Sequence, residues 1–288
     1  MKTIALLFYL FIPFYLSAQP ECHCSIDYGN NPEAGKFISV NNIKMYYETY
    51  GNPEHEPLLL IHGNGGSISG NKCQIEFFKD SYYVIIPDSR FHGKSGEGSE
   101  ELNYRLMTKD YAAFLNAIKI DSLNIIGQSD GGIIGLMLAM DYPKKVKKLI
   151  ASAPNIRTDS TAIYNWDLIP LKKELASLNE KIKNGDKSKG TFRAKVLLNL
   201  MDKYPTIQNE ELKKIAAPTL IMTSDEDVIK PEHILEIYNH IPKAHLFIMP
   251  GATHIMPSTE YELFNQICLR FLKNPFKRPT TRAIFHPD

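Results

Sequence analysis

Ser129 lies in the run Gly127-Gln128-Ser129-Asp130-Gly131, between a short apolar stretch, Leu123 to Ile126, and an almost wholly apolar one, Ile133 to Met140. A serine so placed sits on a sharp strand-to-helix turn that projects its Oγ above the end of the strand. The flanking glycines suit the same turn, because a Cβ at either position would press on neighbouring backbone. A serine hydroxyl is a weak nucleophile near neutral pH, so it needs a base within hydrogen-bond reach and a third group to orient that base. Both types of residue follow later apolar runs. Thr219 to Met222 leads into Ser224-Asp225-Glu226-Asp227, and Leu246 to Met249 leads into Pro250-Gly251-Ala252-Thr253-His254. The order Ser129, Asp227, His254 is that of one known class of nucleophile, acid and base. Attack of Ser129 on a carbonyl would create an oxyanion in need of N–H donors. Leu58 to Ile61 runs into His62-Gly63-Asn64-Gly65-Gly66, so the N–H of Asn64 and the N–H of Asp130, at the start of a helix, make the candidate pair.

These residues need a scaffold that brings strand ends together, and the chain is patterned for one. Lys36 to Val40 and Ile43 to Thr49 flank Asn41-Asn42 and predict a hairpin. Short apolar runs then alternate with helix-period segments: strands at 58–61, 82–86, 123–126 and 146–151, helices at 71–79, 105–118 and 131–140. That alternation predicts an α/β fold with a mostly parallel, doubly wound sheet and an N-terminal antiparallel hairpin. Lys-rich helical stretches such as Leu171 to Ile182 and Phe192 to Leu200 have no strand between them and read as an inserted helical cap. Strand and helix resume at 219–222, 232–241 and 246–249. The final helix places Phe264, Ile267, Cys268, Phe271 and Leu272 on one apolar stripe. The expected organisation is a leader at 1–18, an irregular lead-in at 19–35, a core at 36–155 and 217–273, the cap at 156–216 and a loose tail at 274–288.

Composition narrows the chemistry. With 33 Lys and Arg against 32 Asp and Glu, the net charge of +1 creates no field that would capture nucleic acid. No Cys-x-x-Cys pair or His-Glu-x-x-His helix signals a metal, so none is expected. At the N-terminus, Lys2, the apolar run Ile4 to Leu16 and the small pair Ser17-Ala18 form a signal-peptide pattern. The run is about 13 residues, shorter than the roughly 20 of a spanning helix. Cleavage near Ala18, a secreted or periplasmic location and no stable membrane insertion afterwards are therefore expected. An oxidising compartment would let cysteines pair. Cys22 and Cys24 stand too close in sequence for a favourable mutual bridge, which leaves Cys73, Cys268 or a second chain as partners.

From about Lys36 onward the chain resembles the α/β-hydrolase family. The matching runs are HGNGG at 62–66, PDSRFHGKSG at 87–96, GQSDGG at 127–132, SDEDVIKP at 224–231 and GATH at 251–254, all in family order. The resemblance implies Ser129 as nucleophile, His254 as base, Asp227 as acid and the Asn64 and Asp130 amides as oxyanion hole, with no cofactor. Asp225 is the rival acid, and the family spacing D-x-x-x-P to Pro231 selects Asp227. The 87–96 run departs from the family, with Phe91 in place of a glycine, which implies a different backbone there. Ser224 also replaces a usual glycine. The Ser-Asp-Gly-Gly run further resembles the biphenyl-hydrolase-like, valacyclovir-hydrolase-type branch. There the Asp130 carboxylate would meet a cationic amino group, against the simpler reading that it braces its loop.

The other polar residues take plainer readings: His62 and His92 as braces, Arg90 and Asp88 as hydrogen-bonded ties of their loop, the cap lysines as a solvated face. Tyr164 and Trp166 are candidates for the roof of an acyl pocket or for packing the cap onto the core. The expected function is a serine hydrolase acting on a small or medium carboxylic ester through an acyl-enzyme. Rivals are a catalytically silent binder of the same fold, a perhydrolase or haloperoxidase-like enzyme, and a peptidase.

Overall fold

The computed structural model describes residues 22 and 24–285. The leader expected at 1–18 lies outside the described residues, as do 19–21 of the lead-in. Eight strands form one sheet: β1 (Lys36–Val40), β2 (Ile43–Tyr50), β3 (Pro57–Ile61), β4 (Tyr83–Pro87), β5 (Leu123–Gln128), β6 (Val146–Ser152), β7 (Thr219–Glu226) and β8 (Ala244–Thr253). Their spatial order is β1-β2-β4-β3-β5-β6-β7-β8. The first two pairings are antiparallel and the rest parallel. The hairpin turns at Asn41 and Asn42, whose φ values of 39° and 64° are the left-handed pair that a two-residue connection between twisted strands requires.

The helices are α1 (Lys72–Phe78), α2 (Tyr104–Ala117), α3 (Asp130–Asp141), α4 (Asn165–Lys183), α5 (Lys189–Lys203), α6 (Asn209–Leu212), α7 (Pro231–His240), α8 (Met256–Thr259), α9 (Tyr261–Lys273) and α10 (Thr281–Phe285). Strand alternation divides the core between the two faces of the sheet. Leu59, Ile61, Ile85 and Ile125 point to the side covered by α2, α3 and α7. Leu58, Leu60, Val84 and Ile86 point to the side covered by α1 and α9, where Phe264, Cys268, Phe271 and Leu272 are buried as the stripe predicts. Among the described residues no helix is long and apolar enough to cross a membrane.

The strands that carry the site run beyond their apolar cores. β7 extends to Glu226 and β8 to Thr253, with Ser224 opposite Met249 and Glu226 opposite Thr253. Apolar runs mark only the buried part of such strands. α4, α5 and α6 occupy the connection from β6 to β7. The entry to this region is strapped to the loop after β7 by an Ile163–Ile229 bridge and by bonds from Tyr164 N to Val228 O (3.2 Å) and Lys230 N to Ala162 O (2.8 Å). Beyond Asn274 the chain is more anchored than a loose tail. Phe276 stacks on His245 with ring centroids 4.6 Å apart, and Arg278 donates to Tyr238 Oη at 2.9 Å.

Candidate active site

Ser129, Asp227 and His254 each stand one residue beyond a strand, at the carboxyl ends of β5, β7 and β8. Open parallel sheets gather ligand-binding loops at that edge. Ser129 has φ 52° and ψ −117°, a strained left-handed turn between β5 and α3. The glycines around it are obligatory: a Cβ on Gly127 would lie 2.1 Å from Gly131 O, and one on Gly131 would lie 2.1 Å from Ile61 O. Those close approaches lock the serine turn against the end of β3.

The three side chains form one hydrogen-bonded chain. His254 Nε2 lies 3.0 Å from Ser129 Oγ, and His254 Nδ1 lies 2.7 Å from Asp227 Oδ1. A carboxylate only accepts, so Nδ1–H is the donor to Asp227 and the Nε2 lone pair faces the Ser129 hydroxyl. Asp227 is 3% exposed. Burial pushes its carboxyl up, but the His254 bond and charge, the Ile229 N–H at 3.0 Å and the Thr223 hydroxyl at 3.2 Å hold it below the ordinary carboxylate value. The Ser224 hydroxyl adds a fourth donor at 3.3 Å from Oδ2. Burial depresses the His254 imidazole, and the bond to Asp227 with the charges of Asp227, Asp167 and Asp130 raises it further than burial lowers it. Asp225 does other work: exposed to solvent, it accepts from Gly251 N at 2.9 Å and Ala252 N at 3.2 Å, pinning the segment that leads to His254.

Opposite the histidine, the glycine loop after β3 meets the serine turn. A Cβ on Gly63 would lie 3.2 Å from Ser129 Cβ, so the loop passes directly beside the hydroxyl. Asn64 Nδ2 donates to Asp130 Oδ2 at 3.0 Å and Tyr104 Oη donates to Asp130 Oδ1 at 2.7 Å. Both carboxyl oxygens of Asp130 thus hold protein donors, and the residue is 4% exposed. That geometry is the bracing arrangement rather than a free anion facing the site. Burial pushes the Asp130 carboxyl up to about 6, against the Tyr104 and Asn64 bonds and the His254 charge. Its own N–H opens α3, which has no side-chain cap, so that donor belongs to the first helical turn that no preceding carbonyl serves.

The remaining polar residues fix the loops. His62 accepts from Ser89 N at 3.0 Å through Nε2 and donates from Nδ1 to Gly63 O at 2.8 Å; burial lowers its imidazole to about 4, so it remains neutral. Asp88 accepts from Ile68 N and Lys94 N, while Arg90 pairs with Asp110 at 2.7 Å. Phe91 keeps a glycine-like φ of 64° and is 4% exposed, so packing offsets a conformation that a bulky side chain disfavours. In the cap, Trp166 is 61% exposed and stacks on Tyr164 with centroids 6.1 Å apart.

Sequence patterns left two neighbours unseen. Tyr104 lies in the first turn of α2, with no spacing that ties it to residue 130. Asp167, in the first turn of α4, sends its charge toward His254 from the cap, and burial raises its carboxyl. Leu197 of α5 offers its carbonyl to Asn64 Nδ2 at 3.5 Å, which sets that cap helix over the glycine loop.

Residues 56–174 match the alpha/beta hydrolase fold family. Lipase 3 of Moraxella sp. (strain TA144) is 30% identical over 247 residues, covering 74% of this chain and 76% of its own length. Serine hydrolase BPHL of Homo sapiens is 24% identical over 269 residues, covering 88% of this chain and 91% of its own. The crystal structure of MGS-M2, an alpha/beta hydrolase enzyme from a Medee basin deep-sea metagenome library, has a TM-score of 0.72 at 20% identity and covers 85% of this chain and 100% of that one. Sequence and fold thus point the same way, and the chain belongs to the α/β-hydrolase fold family.

Proposed function

We propose that this α/β hydrolase is an exported serine hydrolase that cleaves a small or medium carboxylic ester through an acyl-enzyme on Ser129. The observation that carries the reading is the unbroken hydrogen-bonded chain from Ser129 Oγ through His254 to Asp227. His254 Nε2 takes the hydroxyl proton as Oγ attacks the acyl carbon, and Asp227 steadies the imidazolium. The amides of Asn64 and Asp130 receive the oxyanion, a contribution that typically amounts to about 100- to 1,000-fold per donor. His254 returns the proton to the departing alcohol, then activates water to release the acid. The cap over the glycine loop supports a compact substrate rather than a polymer. Lipase 3 and serine hydrolase BPHL bear names compatible with this chemistry.

The test is labelling by a fluorophosphonate together with turnover of p-nitrophenyl esters of graded acyl length. Wild type is expected to do both and Ser129→Ala neither. A well-folded wild-type protein that takes no label and turns over no ester overturns the proposal in favour of a binder. Export rests on residues 1–18, and N-terminal sequencing of the protein from culture fluid or periplasm is expected to begin near Gln19.

A further inference from the structure

Gln128, the residue before Ser129, ends β5, and its side-chain Nε2 lies 3.2 Å from the main-chain oxygen of His254. A carbonyl only accepts, so the amide nitrogen is the donor. Strand alternation accounts for the reach. Ile125 packs on the face covered by α2, α3 and α7, whereas Ile126 packs on the opposite face in one cluster with Ala252 and Met256. Gln128, two residues beyond Ile126, therefore points to the side where the chain leaves β8, passes through His254 and enters α8. Ser129 departs from the strand by its left-handed turn and meets the same histidine at Nε2 of the ring.

His254 stands on a short span between two anchored points. Before it, Asp225 accepts from Gly251 N and Ala252 N, and Thr253 is paired opposite Glu226. After it, Gln74 Nε2 of α1 donates to Pro257 O at 2.6 Å and to Asn265 Oδ1 of α9 at 3.2 Å. Between these points the Ile255 side chain is 52% exposed, so burial does little to fix the span. Gln128 reaches into that gap from a rigid base. β5 lies between β3 and β6, with Gln128 opposite Ser152 and Ser129 N donating to Ser152 O at 2.8 Å.

Resting on Ser129 as nucleophile and His254 as base, we infer that Gln128 is a positioning residue that sets their separation by holding the histidine main chain. Fixing the His254 carbonyl fixes the peptide plane after it, and with it the Cα from which the imidazole reaches both Ser129 and Asp227. Adjacent residues of one strand end thus grip the base at two atoms. A misplacement of about 1 Å between reacting groups can cost about 100-fold in rate. One lost tie on a span anchored at both ends is expected to cost about tenfold.

The test compares wild type, Gln128→Met, His254→Ala and the double variant on p-nitrophenyl esters. Gln128→Met keeps the side-chain length and removes the donor. Variants that retain His254 are measured per site titrated with a fluorophosphonate, the others per mole of folded protein. Gln128→Met is expected to lower kcat about tenfold at unchanged KM and to slow fluorophosphonate labelling by a like factor. In the His254→Ala background it is expected to cost nothing further, because the carbonyl remains but carries no base. Should Gln128→Met fold poorly, Gln128→Glu keeps the length, replaces the donor by an acceptor and is expected to lose at least as much kcat. A lower Tm with kcat per titrated site unchanged, a loss confined to KM, or a tenfold loss that persists without the imidazole would overturn the inference. Turnover unaffected by Ser129→Ala would instead refute the nucleophile itself, whereas Ser129-dependent turnover at full speed in Gln128→Met refutes the tie alone.

Discussion

Asp227 after β7 and Asp130 after β5 are both more than nine-tenths buried and both feel the charge of His254, yet burial loses at the first and wins at the second. The loop after β7 surrounds its carboxylate with the imidazole N–H, a backbone N–H and two hydroxyls. The serine turn gives its carboxylate one phenol and one amide. The number of donors, and the charge that one of them can acquire, decide which desolvated acid stays ionised. The difference separates two tasks. Asp227 is equipped to balance a cation that forms and disappears on His254, whereas Asp130 is equipped to tie the glycine loop to the serine turn.

The largest expected effect comes from the loop after β7. Asp227→Asn preserves shape but removes the anion and the tautomer control of His254, and ester kcat is expected to fall by about 1,000- to 10,000-fold. Steady-state kinetics against the same esters measures it, and a loss below tenfold would erase the contrast. In the serine turn, Asp130→Ala removes the acceptors of both the Asn64 amide and the Tyr104 hydroxyl. The tie is lost while both candidate oxyanion amides remain, so a fall of about tenfold in kcat with little change in KM is expected. Asn64→Ala should show part of the same loss, and the double variant should be no worse than the Asp130 variant alone, because the Asn64–Asp130 contact is already gone there. Loss at Asp130 equal to that at Asp227 would mean the two acids share one task.

Stability against pH sharpens the comparison. Folding raises the Asp130 carboxyl to about 6, above the ordinary value of about 3.9. The folded state therefore binds more protons than the unfolded state between about pH 4 and pH 6, and stability falls as pH rises through that window. Asp227 is depressed, so its contribution is present above the unfolded value and is lost as pH falls through the folded one. Urea unfolding across pH 4 to 6 is expected to show a declining component in wild type that Asp130→Asn removes. The smallest effect belongs to Asp167. Its charge helps to raise the His254 imidazole above the ordinary value, so kcat/KM should decline on acidification at a pH above that of an isolated histidine. Asp167→Asn is expected to move this limb lower in a pH–rate profile.

Most of the sheet was legible because its strands are apolar where they are buried, and the hairpin because Asn-Asn suits a left-handed turn. The ends of β7 and β8 were not, since they pass the core with polar residues and are held by each other. α4 begins at Asn165, ahead of the apolar repeat that the sequence displays, with Pro170 inside it. The placement of Ser129, Asp227 and His254 at strand ends followed from local runs. Tyr104 and Asp167 did not, because each reaches the site from an element whose docking angle no short pattern encodes. Phe91 itself holds a positive φ of 64°, a conformation its residue type does not announce.

Trp166, the chain's one tryptophan, stands half in solvent on the cap and stacks against Tyr164. Red-edge excitation therefore addresses a single indole, and its emission is a built-in optical gauge of that helical lid. Quenching or a colour shift on adding a non-hydrolysable ester analogue would report a change around that helix without any attached dye, in a protein whose sheet and serine turn carry no indole.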